Sequence, residues 1–352
     1  MEDYLEYDQL IAFHRNQENP KEQPESCLSF AYETFRYDKM TKQLQSKDNI
    51  LRTKVFIEIN EDMRHLTKVV EITRSTLPAE IRRALKDPNH TIRELASRAF
   101  IGPTFVVEGQ RFLISKGIVQ EISELFDDKV EKIRNNAYQC LLRLSTDREG
   151  CEGVLEAGVI EKLVDKLISE KSEKIMTLTM YLLKQLLQAE QGPLRVLQTA
   201  FISRTKNLLG SSNVEIRRLS AENLACLSFT YPGKVQIIDH DCVDSLAGLI
   251  SDPDTEIRAA ALLALASLSI EKPAKVELVE GQHLVKIMEL LNEDDIQNRL
   301  NTIQLIANVA EHPIAKMEFM QCLDKLRDIT EEDEELVRRF AEKAISVITW
   351  KP

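Results

Sequence analysis

The stretch DCVDSLAGLISDPDTEIRAAALLALASLSIEKPAKVELVEG, residues 241–281, decides the fold. Apolar residues fall at helical spacing from Val243 to Ile250, and the turn-forming SDPD then interrupts the helix. Asp254 or Thr255 can cap the next helix through a side-chain oxygen, with Glu256 in its first turn. That helix continues over Leu262 to Ile270; Pro273 restarts the chain, and Val276 to Val279 make a short third helix before Gly281. Gly117 and Gly158 stand at the same closing position, where a left-handed helix cap calls for glycine.

Outward from this stretch, Arg258 recurs about every 41 residues. Arg52, Arg93 and Arg134 precede it, a blank falls at Met176, and Arg217, Arg258, Arg299 and Arg338 follow, the last two residues early. A period near 40 held along most of a chain is that of a repeat solenoid. Numbering units one to eight by these residues, the position before each is Leu51, Ile92, Ile133, Ile175, Ile216, Ile257, Asn298 and Val337. Three places after it come Val55, Ala96, Ala137, Thr179, Ser220, Ala261, Thr302 and Ala341, small in all but the first unit. Seven places after it are Ile59, Phe100, Leu141, Leu183, Leu224, Leu265, Ile306 and Ile345. These three positions are four apart and line one helix face, with the small residue admitting a neighbouring helix. Eight places before it, Leu44, Leu85, Phe126, Ile168, Leu209, Ile250 and Leu291 close the preceding helix. The expected fold is all-α, an armadillo/HEAT-like right-handed α-solenoid of about eight repeats.

An arginine in the first turn of a helix opposes the macrodipole, at about 0.3–1 kcal/mol when exposed. Its repetition implies an acceptor. Asp87, Asp128, Asp252, Glu293 and Glu332 lie six residues before their arginines, with Ser46 and Ser211 at that place in two units. The expectation is a structural ladder of Arg52, Arg93, Arg134, Arg217, Arg258, Arg299 and Arg338, each reaching a turn carboxylate of its own or the adjacent unit. A stripe binding anionic ligands is the alternative. Unit four, around KSEKIMTLTMYLL, lacks the arginine and is expected to hold a kink or a specialised surface. The last unit is expected to start its long helix in the acidic run Glu331 to Glu335 and to end on Trp350 as a lid.

Composition narrows the function classes. Of 352 residues 43% are hydrophobic but only 6% aromatic, and Gly and Pro number 11 each, which suits stacked helices and not an all-β fold. A net charge of −11 with no Lys/Arg cluster argues against a nucleic-acid backbone as partner. Cys27, Cys140, Cys151, Cys226, Cys242 and Cys322 form no C-x-x-C pair and are expected to be reduced thiols. The histidines at 14, 65, 90, 240, 283 and 312 show no metal-ligand spacing. His240, at the glycine position between repeats, is expected to be a turn residue. No nucleotide, metalloprotease or EF-hand motif occurs, so catalytic residues, cofactors, metal and a small-molecule substrate are all expected to be absent. No signal peptide or long apolar run appears, and a soluble cytosolic protein without a membrane partner is the expectation.

Residues 1–38 stand outside the repeat, with nine acidic against three basic residues. They hold Tyr4, Tyr7, Tyr32 and Tyr37, with Phe13, Phe30 and Phe35, broken by Pro20 and Pro24. The expected division is an acidic, aromatic-containing arm over 1–38 and a solenoid with a C-terminal capping helix over 39–352. Tyr4, Tyr7, Phe30 and Phe35 are the candidate partner-docking residues; a plain flexible tail is the other reading.

The turn Asp, Ile-Arg, Ala, Leu pattern resembles the HEAT signature, and the 41-residue length with a short third helix resembles armadillo repeats. Armadillo receptors of nuclear-import peptides carry ladders of Asn and Trp on the long helix. The positions resembling the Asn are Arg143, Cys226, Ser267 and Asn308, and those of the Trp are Gln139, Glu222, Leu263 and Gln304. One Asn and no Trp argue against import-peptide binding. More closely, TKQLQSKDNILRTKV near residue 41, the repeat number and the ending AEKAISVITWKP at 341–352 make the chain similar to the radial spoke head 14 homologue family. The resemblance covers roughly residues 39–352. It implies a non-enzymatic scaffold of the radial spoke in motile cilia, with other spoke subunits as partners and the axoneme as location. A soluble adaptor binding cargo peptides in a concave groove is the alternative. Tubulin is disfavoured, because the turns KDPNH, FDDKVEK, SDPD and NEDD are mainly acidic.

Overall fold

The computed structural model describes residues 33–332 and 334–351, with side chains from Arg36 onward. Among these residues there are helices and turns and no strand. Eight long helices, one per unit, form the spine: α1 Asn49–Asp62, α2 His90–Ala99, α3 Glu131–Leu144, α4 Glu173–Leu187, α5 Val214–Ser228, α6 Thr255–Leu268, α7 Ile296–Val309 and α8 Glu335–Thr349. Each packs against the next. Between them run pairs of shorter helices, such as Tyr231–Asp239 followed by Cys242–Leu249. Each unit thus buries its apolar stripe only against its neighbours, as solenoid units must.

The phased positions explain this packing. The residues before the register point are buried in every unit, including the polar Asn298, whose amide donates to the Thr255 carbonyl at 3.4 Å. The small residues three places on are also buried throughout. Where they are hydroxylic, Thr179, Ser220 and Thr302 donate to the carbonyls of Ile175, Ile216 and Asn298 one turn earlier, at 2.9, 2.7 and 2.7 Å. A small polar side chain so satisfied costs little where helices approach closely. Five of the eight long helices begin on side-chain caps: Asp48, Asn89, Asn213, Asp254 and Asp295 each accept a backbone N–H from the first turn. In residues 241–281 the cap is Asp254, bonded to the N–H groups of Glu256 and Ile257.

Several expectations need correction. Ile168 is 69% exposed, and Leu167 takes the buried place instead. The step from Arg134 to Met176 is 42 residues, one more than the usual 41, and the added residue lengthens the helix Ile160–Ser169, so counting back from Met176 lands one residue late. Gly117 and Gly158 adopt the left-handed conformation, with φ of 66° and 68°. Gly281 does not; Gln282 carries the positive φ of 59°, as Asp241 does with 51° next to His240. A polar residue that tolerates the left-handed region thus substitutes for glycine in those two units. His240 closes the helix Tyr231–Asp239 and bonds to the Gln236 carbonyl at 2.8 Å.

The ends differ from expectation as well. The helix Glu33–Leu44 crosses the boundary placed at 38/39. Its Tyr37, Met40 and Leu44, at spacings of three and four, are buried, and Arg36 binds Glu58 at 2.6 Å and Asp62 at 2.8 Å. At the other end α8 starts only at Glu335, the last residue of the acidic run, with Glu334 at the N-cap. Trp350 is 63% exposed and is no lid; the Lys316 ammonium lies 5.2 Å from its ring centre. The stack is closed instead by α8 itself, which buries Val337, Ala341, Ala344 and Ile348 and leaves Arg338, Arg339, Glu342 and Lys343 exposed. A polar outer face is what a terminal repeat needs.

Candidate functional site: the groove across the long helices and its ladder edge

In six of the eight long helices the register arginine meets the turn carboxylate of the following unit. Arg52 pairs with Asp87. Arg93 reaches Asp128 at 2.8 Å, Arg134 reaches Glu170 at 3.0 Å and Arg217 reaches Asp252 at 2.9 Å. Arg258 reaches Glu293 at 2.8 Å and Arg299 reaches Glu332 at 2.7 Å. The guanidinium also turns back to its own unit: the Nη1 groups of Arg93, Arg134, Arg217 and Arg258 donate to the carbonyls of Asp87, Asp128, Ser211 and Asp252 at 2.7–2.9 Å. Each of these four side chains therefore joins the turn of its own unit to the carboxylate of the next. Arg338 is exposed, and no unit follows it among the described residues.

The carboxylates have a second task. Asp87, Asp128, Glu170 and Asp252 each accept the backbone N–H two residues on, at 2.8–3.0 Å, which shapes the turn before the long helix. Ser46 and Ser211 keep that turn bond with a hydroxyl, at 3.1 and 3.2 Å. No arginine arrives at either serine: Met176 precedes Ser211, and no unit precedes Ser46 among the described residues. Glu170 belongs to this row and escaped the sequence reading, although it stands six places before Met176. Burial pushes the Asp128 carboxyl up, but the Arg93 hydrogen bond, the Val130 N–H and the charges of Arg93 and Arg134 outweigh it and hold it below the usual range. Asp252 is held down in the same way against its burial, by Arg217, the Asp254 N–H and Arg258.

Where the rung is missing, between units four and five, polar contacts form on the groove side. Tyr181 hydrogen-bonds Glu215, and the Arg218 Nη2 donates to the Tyr181 hydroxyl at 2.7 Å. Lys184 reaches Glu222 at 2.9 Å, Arg218 reaches Glu222 at 2.9 Å, and Asn213 donates to Glu173 at 2.8 Å. The Arg218 hydrogen bond holds the Glu215 carboxyl below its ordinary range, against burial and with help from Tyr181. Tyr181 stands five places after Met176, the place of Gln139 and Glu222 in their units. Carrying the register count through the blank unit would have found it.

Of these, Lys184, Arg218 and Glu222 line a cleft of about 420 Å³ across α4 to α7, together with Cys226, Phe229 and Leu263 among others. Phe229 is 64% exposed beside it. Of the positions compared with the armadillo Asn row, Asn308 donates to the Ala266 carbonyl at 2.9 Å and Ser267 to the Ser228 carbonyl at 2.7 Å, so both tie one unit to the last. Cys226, Glu222 and Leu263 face the cleft, and Gln139 lines two others. Arg143 lies over the Phe105 ring, 4.5 Å from its centre. Burial raises the Cys226 thiol, and it pushes Cys140 up to about 12, so neither is a thiolate near neutral pH. Cys140, Cys151, Cys226, Cys242 and Cys322 are free. Among the described residues no group of three or more His, Cys, Asp or Glu is placed to hold a metal, and no helix is long and apolar enough to cross a membrane. Tyr4, Tyr7 and Phe30 lie outside the described residues, as does the Phe35 side chain.

No protein-family model matches the chain. Solved structures do. An engineered protein is similar over 90% of this chain and 79% of its own, at 17% identity and a TM-score of 0.79. A designed armadillo repeat protein in complex with the peptide (KR)4 matches over 66% of this chain and 99% of its own, at 17% identity and a TM-score of 0.61. Computationally designed armadillo repeat proteins for modular peptide recognition match over 65% and 99%, at 18% identity and a TM-score of 0.61. With its three-helix units and consecutively packed long helices, the chain has the fold of an all-α, armadillo-like repeat solenoid.

Proposed function

We propose that this protein is a non-enzymatic scaffold that holds other proteins along the groove formed by its long helices. The open row of clefts across α1 to α7 carries this reading, because it combines exposed aromatic and aliphatic side chains with charged ones on a rigid stack. The designed neighbours that recognise peptides support a protein-binding role for such a surface. Within that role, we assign the arginine ladder to alignment of successive units. Its six paired members are 14–19% exposed and already engaged, which leaves them poorly placed to receive an anionic ligand.

The finer reading is a radial spoke subunit of motile cilia, bracing other spoke proteins and supporting axonemal motility. It rests on the resemblance carried by TKQLQSKDNILRTKV and AEKAISVITWKP. The test is fractionation of ciliated cells: the protein is expected to stay with axonemes after detergent and to leave only with spoke components. Full release by detergent would overturn the ciliary reading. The second reading, an adaptor for cargo peptides, is favoured by the cleft beside Phe229 and Leu263 and predicts a protein released by detergent that captures short peptides.

A further inference from the structure

The groove has two chemically different halves. Over units five and six its cation, Arg218, is surrounded by acceptors, with Glu222 at 2.9 Å and Glu256 at 3.4 Å beside Glu215. Over units two to four the cations are left open. One cleft of about 300 Å³ is lined by Arg98, Lys132 and Lys174 with Glu94, Glu131 and Asn135. It adjoins a second cleft of about 430 Å³, which shares Arg98, Ile101 and Gln139 with it and adds Leu66 and Phe105. Arg98, Arg143 and Lys174 have no carboxylate partner among the described residues, and Lys132 has only Glu94 at 4.0 Å while 77% exposed.

A further observation points to a ligand. Leu66 and Phe105 are 57% and 54% exposed at the rim of the second cleft, and the Arg143 guanidinium lies 4.5 Å from the centre of the Phe105 ring. A local cluster of unpaired cations is uncommon on a chain of net charge −11, whose other arginines are mostly paired. In the first cleft Arg98, Lys132 and Lys174 outnumber the carboxylates of Glu94 and Glu131, and such a local excess of positive charge attracts anions.

We propose that the groove over units two to four receives an extended acidic peptide segment of a partner protein, its carboxylates at Arg98, Lys132, Arg143 and Lys174 and an apolar side chain against Leu66, Ile101 and Phe105. This rests on the scaffold reading of the groove and names the chemistry of its partner.

The test uses the full chain and fluorescein-labelled octapeptides of alternating Glu and Leu or alternating Lys and Leu, followed by anisotropy. The Glu–Leu peptide is expected to bind, more weakly as salt rises, because exposed charge pairs are screened. The double variant Arg98→Glu, Lys174→Glu is expected to weaken it about tenfold or more, while an unchanged thermal melt shows that the solenoid is folded. Absence of Glu–Leu binding, or binding that the variant leaves unchanged, would overturn the proposal. If instead the Lys–Leu peptide binds and Glu222→Lys abolishes it, the groove reading stands while this assignment falls. A last arm replaces Glu2, Asp3, Glu6 and Asp8 by Gln or Asn in the full chain. Glu–Leu binding that appears only in that variant would make the acidic N-terminal segment the occupant and overturn the partner assignment.

Discussion

The joint between units four and five and the joint between units two and three solve one problem in different ways. At the latter, Arg93 bridges the Asp87 carbonyl of its own turn and the Asp128 carboxylate of the next, with both side chains less than a fifth exposed. At the former Met176 and Ser211 stand at the two register positions of the rung, and the polar contacts move to the groove through Tyr181, Lys184, Glu215, Arg218 and Glu222. The difference shows that the turn residue answers two demands. Its own turn needs an acceptor, which a serine supplies; the preceding unit needs a carboxylate only when it brings an arginine. It also places the most densely bonded part of the groove at the joint that lacks a rung.

The comparison is broken most severely by Arg93→Ala. That change leaves Asp128 buried without its cation and removes the bond to the Asp87 carbonyl, and should cost about 3 kcal/mol, read as a lower urea midpoint. No loss of stability would sink the ladder as an alignment device. Arg258→Ala tests the same role where the partner, Glu293, is 22% exposed, and a smaller loss of about 2 kcal/mol is expected.

Acid should expose the rungs next. The Asp128 and Asp252 carboxyls lie below their ordinary range when folded. Their contribution is therefore fully present above the unfolded value, near pH 4, and is lost as pH falls through the lower folded value. The thermal midpoint should drop below about pH 4, and Asp128→Asn should flatten part of that slope.

The double change Met176→Arg with Ser211→Asp should turn the exceptional joint into an ordinary one, adding about 1 kcal/mol, with neither single change achieving it. A double-mutant cycle on thermal midpoints would read that coupling. Tyr181→Phe should have the smallest effect, a loss of about 0.5–1 kcal/mol from one hydrogen-bonded network. If it destabilises a chain already carrying the new rung just as much, the network does not compensate for the missing one.

Much of the architecture was legible because the packing constraint repeats. Ile257, Ala261 and Leu265 have counterparts in each unit, so eight weak helix signals reinforce one another. The errors fall where repetition fails. Ile168 was misplaced by one added residue, Gly281 yielded its left-handed role to Gln282, and Trp350 stands in solvent because α8 closes the stack with its own polar face. For the groove, the register identified Glu222, Leu263 and Gln139 by position, but Tyr181 was passed over because its unit lacks the arginine that sets the count.

Periodicity alone was enough to establish stacked helical units with an Arg and an acid in fixed register, since every unit must bury the same stripe against the next. Which acid meets which arginine, why serine replaces it twice, and which cations stay unpaired over units two to four depended on the tertiary structure. Those outcomes are distances between residues some 35–40 positions apart, set by how one unit is rotated on its neighbour.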